Sequence, residues 1–209
     1  MMRNNHSEKV LLMVLCLALA WTGHARGEKS AAAAPPALMQ RLLQEVNEHF
    51  TIQGKAVDPR LVEKFTTFLS DSVFPNVITV DLLAAALNDN EYYVPDVKVK
   101  DGLVSVNHKD PEGSSFAYDW LGTVRPGLHV VKTFYSGGGS GIFMNLYFFR
   151  IYPGTGRDEK GPYDQILMTL VRTPVILGDR DDGAITVEPG RVIIGKSRYR
   201  KQPVILEFK

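Results

Sequence analysis

The sequence predicts an α+β domain, with N-terminal amphipathic helices packed on one face of a mostly antiparallel sheet. Three observations carry that expectation. Apolar residues recur at helical spacing from Ala37 to about Asn88. After Asn90 the period changes to two, with a hairpin signal at Asp101-Gly102. Helices come first and antiparallel strands follow, which is the order of that class.

The first helix is read over Ala37–Phe50. Leu38, Leu42, Val46 and Phe50 recur every fourth residue beside Met39 and Leu43, while Gln40, Arg41, Gln44, Glu45 and Glu48 fill the other side. That pattern is an amphipathic helix. Asp58-Pro59 supplies an N-cap and a proline at the first helical position, and Leu61, Val62, Phe65, Phe68 and Leu69 form the stripe of a second helix. Thr79 is placed to cap a third, through Leu82, Leu83 and Leu87 to Asn88.

In VKVKDGLVSV, Asp101-Gly102 predicts a type I′ turn that pairs Val99 with Val104 and Val97 with Val106 on one face. Lys98 and Ser105 then share the opposite face. Further strands are expected at Ser115–Leu121, Leu128–Tyr135, Ile142–Tyr152, Gln165–Leu177, Ala184–Val187, Arg191–Ile194 and Pro203–Phe208. The run IFMNLYFFRIY is apolar on both alternating faces, so it belongs in the middle of a sheet covered on both sides.

The N-terminus reads as a secretory signal peptide over residues 1–25. Arg3 and Lys9 precede the apolar run Val10–Trp21, and Gly23-His24-Ala25 follows with a cut after Ala25; Ala18-Leu19-Ala20 offers a rival cut, and a retained N-terminal anchor is the alternative reading. The run is short for a membrane span, which needs about 20 apolar residues. Cys16 is the one cysteine and lies inside it. A mature chain would carry no thiol, hence no disulfide, cysteine nucleophile or thiolate metal ligand. Residues 26–36, RGEKSAAAAPP, read as a flexible tether, and residues 37–209 as a single domain. Loss of Arg3, Lys9 and Glu8 leaves a formal charge of zero, which calls for neither nucleic acid nor an acidic membrane.

GRVIIGKS, Gly190–Ser197, fits the phosphate-loop pattern letter for letter. That loop must join a strand to a helix so that backbone N–H groups converge on phosphate. Arg191–Ile194 reads instead as a strand and RYRKQPVILEFK offers no following helix, so no nucleotide is expected.

Four other groups of residues invite a chemical reading. Ser136–Gly141, with Ser136, Gly138, Gly139 and Ser140, is either a backbone anion nest or a plain connection between strands. Ser140, His129 and Asp179 are the members available to a small periplasmic hydrolase, although no nucleophile-elbow pattern surrounds Ser140. Asp179, Asp181 and Asp182 lie within four residues, but the spacing fails the EF-hand pattern, and the scattered histidines fail the zinc pattern, so no metal or other cofactor is expected. Lys196, Arg198 and Arg200 alternate in GKSRYRKQ and would project from one face of a strand. They would grip anionic groups of an envelope polymer or lipid, or else protect an edge strand from aggregation.

The pairing of GGGSGIFMNLYFFRI with the later ILGDRDDGAITVEPGRVIIG, Gly137 to Gly195, resembles uncharacterised exported bacterial α+β domains that carry a GGSG-F strand and an LGDR hairpin motif. The resemblance implies a bacterial envelope protein with an antiparallel sheet, and no activity. Two functions follow from the sequence. The first is a non-catalytic binding or assembly domain, periplasmic or extracellular, whose partner is an envelope protein or an anionic envelope polymer. The second is the small hydrolase built on Ser140, His129 and Asp179.

Overall fold

The computed structural model describes residues 36–66, 77–86 and 96–209, all of which fall in one unit, Ala31–Lys209. Among the described residues 52% are strand and 15% helix, with a curled eight-stranded sheet. The chain is therefore a mostly antiparallel β protein, and the expected α+β class with a helical layer on the sheet is incorrect. Strand far outweighs helix among these residues. Within the described residues α1 (Pro36–His49) runs 14 residues, but α2 (Pro59–Glu63) and α3 (Leu82–Ala86) run only five each.

Short elements surround these helices. β1 (Thr51–Ile52) and β2 (Lys55–Ala56) form a hairpin of their own, and β3 (Thr79–Asp81) leads directly into α3. Asp58 caps α2 as the sequence predicts, its Oδ1 accepting from the Arg60 N–H at 2.8 Å. The cap of α3 differs. Thr79 lies in β3, and Asp81 Oδ1 accepts from the Leu83 and Ala84 N–H groups at 2.9 and 3.3 Å. The expected helical positions Phe68, Leu69, Leu87 and Asn88 lie outside the described residues.

The main sheet holds β3, β4 (Lys98–Lys100), β5 (Leu103–Asn107), β6 (Ser115–Arg125), β7 (Leu128–Ser136), β8 (Phe143–Asp158), β9 (Gly161–Leu170) and β10 (Val175–Asp179). Its order is β3-β9-β8-β7-β6-β5-β4, with β10 beside β8. All pairings are antiparallel. The β4–β5 turn is the expected one, with Asp101 at φ 51°, Gly102 at φ 83° and Val99 opposite Val104.

β8 organises the sheet. One side pairs with β7 as far as Arg150. The other pairs first with β10, through Leu146, and then with β9, from Phe149 onward. The expected strand end at Tyr152 is overrun, because beyond Arg150 the β7 side of β8 has no ladder for Pro153 to break. The expected strand Gln165–Leu177 is divided into β9 and β10 at residues 171–174, where Pro174 stands.

Both faces of β8 are covered, as its composition requires. Tyr147, Phe149 and Ile151 join one core with Leu42, Val46 and Phe65. Leu146 and Phe148 join a second core with Val130, Leu177, Val192 and Ile194. The second core is closed by a three-stranded sheet of β11 (Ile185–Glu188), β12 (Arg191–Ile194) and β13 (Val204–Glu207).

Candidate ligand cleft at the seam of the sheet

The curl of the main sheet brings its two ends to a common space. At one end β3 runs into α3, at the other stands β4, and the two are not paired to each other. Between them lies a cleft of about 410 Å³. Ala85 and Ala86 of α3 form one wall, and Val97 and Val99 beside and within β4 form the opposite wall. The cleft thus lies between α3 and the β4 edge of the curled sheet. The small side chains of Ala85 and Ala86 leave the space between the walls unfilled.

The floor is apolar and fixed. Ile52, Val57, Leu61 and Leu82 line it and belong to the main core, each buried. The Tyr118 hydroxyl donates to the Val57 carbonyl at 2.5 Å, which ties the floor to β6. Burial pushes the Tyr118 phenol well above its ordinary pKa, so it stays a donor. The β1–β2 hairpin is held to α1 by the Glu45 carboxylate, which accepts from Thr51 Oγ1 and from the Gln53 and Gly54 N–H groups. α2 is anchored at its other end by Glu63, 3.0 Å from His108 Nε2. Burial raises the Glu63 carboxyl above its usual range while His108 pulls the other way. Gln53, Lys55 and Asp58 stand on the polar side of the lining.

The residues singled out in the sequence lie elsewhere. His129 is fully buried on β7, with Phe50 and Trp120 around it. Asn47 Nδ2 donates to the Leu43 carbonyl at 2.8 Å, so its Oδ1 is the acceptor for His129 Nε2–H at 3.0 Å. Ser140 is exposed, beyond the opposite end of β7. Seven residue steps of extended strand separate His129 from Ser136, roughly 20 Å. The Asp179 carboxylate accepts from the Ile142 N–H at 2.7 Å and from Arg180 Nη1 at 3.1 Å. Ser140, His129 and Asp179 therefore do not converge, and the hydrolase arrangement is not formed.

The glycine-rich loop is shaped by packing. Ser136 pairs with Ser115 in the ladder. Gly138 has φ 84°, and a Cβ there would stand 1.8 Å from the Glu112 carbonyl oxygen. The loop therefore closes against the β5–β6 connection. Gly139 and Ser140 stand exposed above that contact.

The expected basic strand is a turn. Ser197 and Arg200 form an isolated bridge, with Arg198 and Tyr199 between them. Alternation of Lys196, Arg198 and Arg200 on one face is lost, because strand geometry ends at Ile194. Two of the three cations are already engaged. Arg200 Nη2 lies 3.3 Å from the buried Asp181 carboxylate, which also accepts from Ser197 Oγ at 2.8 Å and the Gly183 N–H at 2.9 Å. Arg198 lies 3.8 Å from Asp182, and the Arg198 N–H donates to Asp182 Oδ1 at 3.0 Å. That backbone bond holds the Asp182 carboxyl below its usual range. Lys196 is exposed.

The three aspartates thus face different partners, and among the described residues there is no group of three or more His, Cys, Asp and Glu placed to hold a metal ion. Arg191–Ile194 is β12, paired on both sides, so its N–H groups are directed into ladders and cannot cradle a phosphate. Among the described residues no helix is long and apolar enough to cross a membrane.

The cleft was not visible as a motif. Its lining is drawn from separate stretches of the chain, from Ile52 in β1 through Leu82 in α3 to Val99 in β4. The exposed Val99 between two lysines was its one sequence trace. Comparison with family models, curated proteins and solved structures finds no match.

Proposed function

We propose that the chain is an exported bacterial envelope protein that acts by binding rather than by catalysis, and that the seam cleft is its binding site. One observation carries the reading: a largely apolar cavity of about 410 Å³ held between α3 and β4 over the main core. Clefts of that size with apolar walls and a few polar groups are where small ligands or ligand side chains are held. The floor is part of the main core, so the site is preformed and little ordering entropy opposes binding. The layout of residues 1–25 supports export, and the resemblance over Gly137–Gly195 supports an envelope location.

Calorimetric titration of the purified chain with laurate tests the reading. The alkyl chain is expected to bind, and Ala86→Trp, which places an indole against Val97 and Val99, is expected to weaken it at least tenfold while the far-ultraviolet circular dichroism is unchanged. Equal binding by a folded Ala86→Trp chain would contradict the assignment.

A further inference from the structure

β4 ends the main sheet, and among the described residues no strand pairs with its outer edge. The two-residue turn at Asp101-Gly102 closes on Lys100 and Leu103. Such a turn closes on a hydrogen-bonded pair, and bonded and non-bonded pairs then alternate along the ladder. Lys100 and Lys98 therefore exchange bonds with β5, while Val99, opposite Val104, directs its N–H and C=O outward. The same residue is 63% exposed and lines the cleft. Val99 thus offers ladder groups and an apolar surface to one space.

Lys98 and Lys100 alternate with Val99 and project from the other face of β4, both exposed. Lysines on an edge discourage pairing with a basic or purely apolar strand. They favour a strand that brings acidic side chains to that face, because opposite charges across a ladder attract.

We propose that the occupant of the cleft is an extended segment of a partner protein, added to the outer edge of β4, in which apolar and acidic residues alternate. The residue opposite Val99 exchanges backbone bonds with it and sends its apolar side chain into the cleft. The acidic residues on either side of it lie beside Lys98 and Lys100. Strand addition of this kind takes affinity from main-chain bonds and specificity from alternate side chains, and the two lysines supply discrimination against other strands. This inference rests on the reading of the cleft as a binding site and names the class of its ligand.

The test is titration of the full chain with an acetylated, amidated heptapeptide of alternating valine and glutamate, with laurate as a parallel arm. The peptide is expected to bind. Methylation of its valine backbone nitrogens, which removes the N–H donors of the ladder, places a methyl group against the β4 edge and leaves the side chains, is expected to weaken it at least tenfold. Lys98→Glu with Lys100→Glu is expected to do the same and to leave laurate binding within twofold. Laurate binding without peptide binding, or equal binding of the methylated peptide, would overturn the strand-addition inference and leave the cleft as a site for small apolar ligands. Binding of neither probe would overturn both.

Discussion

The Arg200 guanidinium lies 3.3 Å from the carboxylate of Asp181, and the Asp181 side chain is inaccessible to solvent. The pair joins the segment after β10 to the turn that follows β12. Removing one member of such a pair strands a charge in the interior. Arg200→Ala is expected to lower stability by about 3 kcal/mol, and by much less in an Asp181→Asn background. Urea unfolding of the single and double variants measures the coupling; equal losses in the two backgrounds would show that Arg200 acts by packing alone.

Gly138 and Gly139 make opposite predictions for one substitution. Gly138→Ala meets the Glu112 carbonyl and a φ of 84°, whereas an alanine Cβ at Gly139 would meet nothing within 4 Å. The first is expected to cost more than 2 kcal/mol and the second to stay within about 0.5 kcal/mol. Thermal unfolding of the two variants checks this, and equal stability would deny that the loop is shaped by packing.

Burial lowers the His129 pKa to about 4, against 6.5 for the ordinary group. Between those values the unfolded chain binds the proton and the folded chain does not, so stability rises with pH across this window. The contribution is fully present above about pH 6.5 and is lost as pH falls toward 4, amounting to about 3 kcal/mol. Urea midpoints measured from pH 4.5 to 7.5 are expected to show that slope, and His129→Gln, which can still donate to Asn47, is expected to flatten it. An unchanged slope would assign the pH dependence to other groups.

Tyr118 holds the cleft floor through the Val57 carbonyl. Tyr118→Phe leaves that acceptor without its partner and is expected to cost about 1 kcal/mol. Calorimetry is also expected to show weaker laurate binding, since Val57 lines the site. Unaltered affinity would separate the floor from the binding surface.

Local chemistry was legible in the sequence where a short segment determines its own geometry. The Asp58-Pro59 cap, the Asp101-Gly102 turn and the two-faced β8 all rest on neighbours in the chain. The fold class was misread because helical spacing reports amphipathicity, and does not report how much of the chain pairs into sheet, which depends on partners distant in the sequence. GKSRYRKQ failed for a related reason. Its alternation suggests a strand, but Asp181 and Asp182, about sixteen residues earlier, bind Arg200, Ser197 and the Arg198 backbone and hold it as a turn. Ser140, His129 and Asp179 are compatible as residue types, but the strand between His129 and Ser140 keeps them apart. The cleft required the curl of the whole sheet, which no window of sequence contains.

Chemical-shift mapping of the backbone amides during titration with laurate locates the ligand on the protein. The perturbed amides are expected to cluster at Val57, Ala85, Ala86, Val97 and Val99. Perturbations confined to Ser136–Gly141 and Lys196–Arg200, or none at saturating laurate, would contradict the reading of the cleft as the binding site.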